Sequence, residues 1–160
     1  MRVYHGSYTK IDEIDLSKSE PKKDFGKGFY VTKYIEQAEF WAERKGKVNN
    51  TDACVTEFEF DEYAYKTKDL KILQFDNYTE EWFDFVVLNR QNEELAHDYD
   101  IVEGPVADDK INRKLQLFLD GEITREDFFE KLVHIPSHQI CFCTFNSLQY
   151  LKTKNHKVIY

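Results

Sequence analysis

Hydrophobic and polar positions along this chain follow two rhythms, and each rhythm predicts a different kind of element. Residues 55–60 alternate apolar and polar side chains, as expected for a strand with one buried face. Residues 33–45 instead repeat apolar side chains at three- and four-residue steps, which predicts a helix carrying Tyr34, Ala38, Trp41 and Ala42 on one face. Residues 15–24 are polar and contain Pro21, so they predict a loop.

The other periodic segments place strands at both ends of the chain and helices between them. The pattern predicts further strands at 2–8, 28–32, 70–75, 99–102 and 139–144, with a short edge strand at 158–160. It predicts helices at 79–89, 109–119 and 124–133, and Thr79 and Thr124 stand where N-caps belong. No βαβ rhythm and no linker is visible. The sequence therefore predicts a single α+β domain over residues 1–160, with mainly antiparallel pairing.

Composition narrows the class of protein. The chain has 160 residues, of which 41% are hydrophobic, and this suits one globular domain. Its 22 Lys and Arg stand against 30 Asp and Glu, a net charge of −8, which argues against a duplex nucleic-acid surface because that needs a basic face. No segment resembles a signal peptide or reaches the about 18 apolar residues of a membrane helix. We therefore expect a cytoplasmic protein that does not associate with membranes.

The chain has three cysteines, at positions 54, 141 and 143. An odd count without a framework spacing predicts reduced thiols. Cys141 and Cys143 flank one residue, so in a strand they would share a face. They fit small core residues better than a metal pair, because two further ligands are missing. We expect no metal site.

Two short glycine-containing segments carry the candidate chemistry. Residues 4–7 read Tyr-His-Gly-Ser, and residues 25–30 read Phe-Gly-Lys-Gly-Phe-Tyr. The first resembles the His-Gly-Ser/Thr strand of the diphtheria-toxin and poly(ADP-ribose) polymerase branch of the ADP-ribosyltransferases. The second resembles the Phe-Gly-Lys-Gly-Ile-Tyr segment of that branch, and Trp41 stands where the branch has a second stacking aromatic. Nearly the whole chain also resembles the bacterial domain of unknown function 3990 family, through residues 104–109 and 138–142.

The resemblance implies an ADP-ribosyltransferase fold, a split and mainly antiparallel sheet with flanking helices and an NAD cleft between its halves. NAD would be the substrate: nicotinamide is released and ADP-ribose passes to one acceptor. The implied catalytic residues are His5, Tyr30 and Gln139. The implied NAD contacts come from Tyr4, His5, Gly6, Ser7, Gly28, Phe29, Tyr30 and Trp41.

Each implied role has a physical rationale. Tyr30 and Trp41 would hold the flat cationic nicotinamide between aromatic faces. Gly6 would read its carboxamide through the main chain, where the missing side chain allows close approach. His5 would donate a hydrogen bond to a ribose hydroxyl. The alternative for each residue is an ordinary structural role, the aromatic rings as core and His5 as a satisfied histidine.

Gln139 departs from the family pattern, which has glutamate at this position. An amide still accepts a hydrogen bond from a ribose hydroxyl but adds no negative charge beside the developing cation. Single transfer is then expected rather than chain elongation, with the base supplied by the acceptor or another residue. Asp108 and Asp109 are candidates for that base, and their alternative role is the start of a helix. Arg90 is a candidate pyrophosphate contact or else a solvated helix end.

The resemblance also bears on partners. It implies a bacterial toxin of a toxin–antitoxin pair, held in check by a small antitoxin protein. The net charge of −8 predicts an acceptor that is a protein or a small molecule, because it repels a polyanion. Two other functions stay open. The missing glutamate fits a non-catalytic module that binds NAD or ADP-ribose. A relative acting on phosphorylated RNA ends would use the same fold, although the excess of acidic residues argues against it.

Overall fold

The strands divide between two sheets in the computed structural model, which describes residues 1–132 and 136–160. The first sheet is antiparallel, with β3 (Ala53–Phe60) between β1 (Arg2–Ser7) and β7 (Leu151–Ile159). The second sheet has the order β2 (Phe29–Val31), β6 (Gln139–Phe142), β5 (Ile101–Gly104) and β4 (Ile72–Gln74). The predicted α+β class and the split of the sheet are thus present in the described residues.

The helices begin where the sequence supplies caps. They are α1 (Ile35–Asn49), α2 (Glu80–Arg90), α3 (Asp109–Leu119), α4 (Arg125–Phe129) and α5 (Phe145–Leu148). The Thr79 hydroxyl accepts from the N–H of Trp82 at 3.2 Å. Thr124 forms a capping box, accepting from the Asp127 N–H at 3.1 Å while the Asp127 carboxylate accepts from the Thr124 N–H at 2.9 Å. Both predicted caps are therefore confirmed. Short 3-10 turns span Leu16–Lys18 and Glu62–Tyr65.

One prediction of the topology is wrong. β4 and β5 pair in parallel, and α2 connects them, so the chain does contain a βαβ unit. A tight turn reverses the chain and so joins antiparallel strands. Two neighbouring parallel strands need a longer crossover connection, which α2 provides here. The two strands and the helix are predicted individually near their observed positions, but periodicity does not report which strands pair.

Several predicted boundaries also shift. The last strand, β7, begins at Leu151 rather than at residue 158, because its alternation is polar and lysine-rich and lacks the usual apolar signal. Charged side chains of this kind protect a sheet edge from pairing with other chains. The strand predicted at 139–144 ends at Phe142, where α5 follows. The helix predicted at 124–133 ends at Phe129, and its predicted end, Val133, lies outside the described residues.

Buried aromatic side chains build two cores on the two faces of β6. One core, around α2, contains Phe25, Trp82, Phe83 and Phe128, and the other, between the sheets, contains Phe58, Phe60 and Phe142. Each fully buried ring stabilises the fold by about 1.5–3 kcal/mol. Because side chains alternate along β6, Ile140 and Phe142 enter one core, while Gln139 and Cys141 lie on the other face. In the described residues, no helix has the length and apolarity needed to cross a membrane.

Candidate active site at the junction of the sheets

The two sheets meet at a single bridge between β1 and the end of β2. The Tyr4 N–H donates to the Thr32 carbonyl at 2.8 Å, and the Thr32 N–H donates to the Tyr4 carbonyl at 2.9 Å. This bridge places residues 4–7 against residues 25–30, although the loop from 8 to 24 separates them in sequence. The two segments singled out in the sequence therefore form one site.

His5 is fixed at this junction by two contacts. Its Nδ1 lies 2.6 Å from the Tyr30 carbonyl, and its ring stacks on Phe29 with centroids 4.3 Å apart. A carbonyl only accepts, so Nδ1 carries the proton of the neutral ring and Nε2 is an acceptor. Burial and the nearby charge of Lys45 lower the pKa of His5 to about 3, although the bond to the Tyr30 carbonyl opposes this shift. Neutral His5 thus offers a ligand hydroxyl an acceptor at Nε2 rather than the donor expected from the sequence.

Gly6 lies where α1 packs most closely on β1. A Cβ on Gly6 would come 2.0 Å from the Ala38 carbonyl oxygen and 2.8 Å from the Ala42 nitrogen, so no other residue fits without moving the helix. Main-chain groups in an antiparallel strand point to alternate sides. Since Tyr4 exchanges both of its bonds with Thr32, the N–H and C=O of Gly6 point to that same side, away from β3. This is the main-chain orientation that reading a carboxamide requires.

Lys45 brings a cation to the same point. Its Nζ donates to the Gly6 carbonyl at 2.9 Å, and burial together with the charge of Lys23 lowers the pKa of Lys45 to about 8. The Lys23 ammonium lies over the Tyr30 ring, 5.8 Å from its centroid, with the exposed Glu20 at 3.7 Å. The charges of Lys23 and Lys45 repel each other, and an anionic group bound between them would relieve that repulsion. The site is therefore locally basic in a chain of net charge −8.

Tyr30 holds the turn of residues 25–28 in place. Its hydroxyl donates to the Gly26 carbonyl at 2.6 Å and accepts from the Phe25 N–H at 3.1 Å, and burial raises its pKa. Gly26 has a φ of 81°, a conformation that side chains disfavour. A Cβ on Gly28 would come 2.3 Å from the Cys141 Sγ. The conformation of one glycine and the close approach of the other explain why both are needed in this segment.

The other residues predicted to contact NAD lie in different surroundings. Phe29 supports His5, Ser7 is buried, and Tyr4 packs against the alanine face of α1. Trp41 is half-buried on α1, one turn before Lys45. In the described chain, Trp41 and Tyr30 make no direct ring contact, and the pair of aromatic walls implied by the resemblance stays a prediction.

Gln139 points into the same core as Tyr30. It is 4% exposed, and its Nε2 donates to the Asp24 carboxylate at 3.0 Å and to the Pro105 carbonyl at 3.3 Å. Its strand neighbour Cys141 is the partner of Tyr30 across β2 and β6. These two bonds assign the orientation of the amide and commit its nitrogen. No donor in residues 1–132 or 136–160 reaches Oε1, so the amide oxygen is the end that can accept a bond from a ligand.

Asp24 anchors a buried polar network that the sequence does not reveal. The Arg90 guanidinium binds one Asp24 oxygen through Nε, at 3.0 Å, and through Nη2. It also donates to Asn112 at 2.5 Å, and the other Asp24 oxygen accepts from the Ala107 N–H at 3.3 Å. Arg90 is therefore an internal ion-pair partner and is not a solvated helix end. The network ties the loop before Tyr30 to α2, α3 and β6.

The two aspartates considered as bases are already engaged. Asp108 is the N-cap of α3 and accepts from the Ile111 N–H at 2.8 Å. Asp109 lies in the first turn of that helix and pairs with Arg44 at 3.1 Å. Their structural role is thus the start of a helix, where negative charge is favoured.

A family model described as "Protein of unknown function (DUF3990)" matches residues 1–153. The chain belongs to the DUF3990 family. Membership in this family is thereby confirmed, while the relation to ADP-ribosyltransferases stays a prediction. No curated protein and no solved structure matches the chain. The DUF3990 match includes every residue of the junction, from Tyr4 to Gln139.

Two residues of this site were missed in the sequence, Asp24 and Lys45. Lys45 carried a readable signal, because it continues the apolar face of α1 four residues after Trp41, where a lysine is unusual. Asp24 lies among charged loop residues, so no signal in the sequence points to its role.

The part of the chain that the structure describes contains no group of three or more metal-ligating side chains. An open concavity of about 950 Å³ lies at the far end of α1, lined by residues such as Lys47 and Tyr160, and does not coincide with the junction.

The lowered pKa of His5 makes a testable contribution to stability. Folding holds His5 neutral down to about pH 3, whereas the unfolded chain protonates it near pH 6.5. Between these values the unfolded state binds more protons, so the His5 contribution is full above pH 6.5 and falls by up to about 1.4 kcal/mol per pH unit below it. Denaturant unfolding of wild type and His5→Asn from pH 4 to 8 measures the difference. Parallel curves would contradict the assignment.

Proposed function

We propose that this DUF3990 protein binds NAD at the junction of its two sheets and transfers ADP-ribose to a single acceptor. One observation carries the proposal: the bridge at Tyr4 and Thr32 brings His5 to within 2.6 Å of the Tyr30 carbonyl, with the Gly6 main chain facing the same side. These are the residues that the resemblance to ADP-ribosyltransferases assigns to NAD. Their convergence is what such a function requires.

The chemistry of each group suits a part of NAD. The main chain of Gly6 can read the carboxamide, because its carbonyl has a second lone pair beside the one that Lys45 uses. The ammonium groups of Lys23 and Lys45 can meet the phosphates. Nε2 of His5 and Oε1 of Gln139 can each accept a hydrogen bond from a ribose hydroxyl. Two such bonds would orient the ribose ring in the site.

The proposed reaction breaks the bond between C1′ of the ribose and the nicotinamide nitrogen. Nicotinamide leaves with the bonding electron pair, a nucleophilic atom of the acceptor forms the new bond to C1′, and the acceptor proton passes to water. Gln139 would stabilise the sugar cation through its carbonyl dipole only, since an amide carries no charge. The acceptor would be a protein or a small molecule, because the net charge of −8 repels duplex nucleic acid.

The test is transfer of label from NAD. Purified protein, labelled NAD and bacterial lysate should give labelled product and free nicotinamide. His5→Asn should lower both by at least about tenfold, since it keeps a donor near the Nδ1 position but removes the Nε2 acceptor and its preorganised bond. His156→Asn is the matched control, because His156 lies on β7 with Asp12 and Thr56. Label removed by nuclease but not by protease would contradict the proposed acceptor.

A non-catalytic NAD- or ADP-ribose-binding module is the second candidate. The observation that favours it is the commitment of the Gln139 nitrogen to Asp24, which leaves the site without a free carboxylate at this position. Calorimetry with NAD and nicotinamide assays together separate the two candidates. Binding without release of nicotinamide, with or without lysate, would favour the module.

We further propose a toxin role with a small antitoxin partner, on the family resemblance alone. A partner covering the loop at 15–24 would close the junction, and an interface of about 800 Å² on each side is enough for this. Expression of wild type in a heterologous bacterium should arrest growth, while His5→Asn at matched protein level should not. Equal growth of both strains would contradict the toxin role.

A further inference from the structure

A pair of thiols lies at the end of β6, on the face that packs against the core around α2. The Sγ atoms of Cys141 and Cys143 are 3.4 Å apart, and the Cys143 thiol is also 3.7 Å from the Cys141 carbonyl. Cys141 is fully buried beneath residues 27 and 28, whereas Cys143 is partly exposed just beyond the strand. Residues two apart in a strand have Cα atoms about 6.6 Å apart, at the upper end of the range that a disulfide spans, so closing the bond requires the two Cβ atoms to approach to about 3.8 Å.

The partly exposed thiol has the surroundings of a reactive cysteine. The neighbouring Cys141 thiol and the nearby His97 lower the pKa of Cys143, against the opposing effects of burial and Asp100. His97 is itself held, with Nε2 at 2.8 Å from the Phe25 carbonyl and Nδ1 accepting from the Tyr99 N–H at 3.1 Å. Thiols with these features ionise near neutral pH and attack disulfides.

We propose that Cys143 and Cys141 form a redox-active dithiol whose substrate is a small-molecule disulfide such as oxidised glutathione. The Cys143 thiolate attacks one sulfur of that disulfide, which forms a mixed disulfide and releases one thiolate. The buried Cys141 then attacks the Cys143 sulfur, its proton passes to the leaving thiolate, and the Cys141–Cys143 disulfide closes. Two cysteine thiols are oxidised and one small disulfide is reduced to two thiols. This activity is independent of the proposed transferase function.

The geometry fixes the order of the two steps. Cys141 is fully buried and Cys143 is partly exposed, so Cys143 is assigned as the entering thiol, and Cys141 resolves the adduct from 3.4 Å away. Cys143 lies just beyond the end of β6 and its N–H donates to the Asp100 carbonyl at 2.8 Å, so closing the S–S distance of about 2.05 Å requires this bond to lengthen. The third cysteine, Cys54, is buried in β3 of the other sheet and serves as an internal reference.

The experiment treats the reduced full-length protein with oxidised glutathione and measures its intact mass. Wild type and Cys54→Ser should lose two hydrogen atoms, with the change mapped to the peptide that contains residues 141–143. Cys141→Ser should stop at one glutathione adduct on Cys143, and Cys143→Ser should show neither product. The rate of Cys143 alkylation should have a pH midpoint below the about 8.5 of an ordinary thiol.

Two results would overturn the proposal. One is a wild-type protein that accumulates a stable glutathione adduct or stays unmodified, without loss of two hydrogens from the 141–143 peptide. The other is an alkylation midpoint at or above that of free cysteine. Both readings use the wild-type protein, so they stand even if a serine variant fails to fold.

Discussion

Replacing Arg90 by methionine is expected to lower the free energy of unfolding by about 3–5 kcal/mol, the usual cost of removing one partner of a buried ion pair. The Asp24 side chain is only 8% exposed and that of Arg90 20%, so water cannot take over the role of the guanidinium. The amide of Gln139 and the Ala107 N–H would remain as the donors to an otherwise uncompensated carboxylate. The loop before Tyr30 should loosen along with the network.

Arg2→Met is the matched control for this variant. Arg2 also pairs with a carboxylate, Glu57, at 3.0 Å, but 65% of its side chain is exposed. Exposed pairs contribute about 0–1 kcal/mol, so this variant should stay close to wild type. Urea unfolding at pH 7 measures both changes. Equal losses in the two variants would mean that the Asp24 network is not a buried ion pair in solution.

The elements could be predicted well from the sequence wherever one face of an element is apolar. α3 was predicted with both of its observed ends, and the threonine caps of α2 and α4 were recognised because capping needs a particular side chain at a particular place. β7 was missed over most of its length, since an edge strand with polar side chains has no apolar alternation. The parallel pairing of β4 with β5 was missed because pairing is a tertiary property.

Part of the candidate site could also be predicted from the sequence, and part could not. The junction of His5 and Gly6 with Tyr30 was predicted from two local segments, and the described structure brings those segments into contact. The tautomer of His5 was not predictable, because it is set by a carbonyl 25 residues away. Nor was the pairing of Asp24 with Arg90, which depends on how the loop folds over α2. Long-range polar partners leave no periodic signal in a sequence.

Gln139→Ala is expected to lower the rate of nicotinamide release by about 10²–10³, if the junction is the transferase site proposed above. Oε1 of Gln139 is held by the two bonds on Nε2, so it is a preorganised acceptor, and losing such a group has about this effect on turnover. NAD affinity should fall much less, by about 2- to 13-fold, the equivalent of one hydrogen bond. Single-turnover kinetics and calorimetry measure the two quantities separately.

Gln139→Glu makes the prediction sharper, because it places a carboxylate against Asp24, where the amide nitrogen now donates. Two carboxylates in one site cannot both ionise freely, so the pKa of one of them should rise and the protein should lose stability. Glutamate alone should therefore not restore the charge that the family pattern supplies. Gln139→Glu combined with Asp24→Asn should restore it, although this double variant also removes the carboxylate that pairs with Arg90, and NAD hydrolysis should appear only there. Faster hydrolysis in the single Gln139→Glu variant would contradict the role assigned to Asp24. Unchanged nicotinamide release in Gln139→Ala would show that Gln139 takes no part in the proposed reaction.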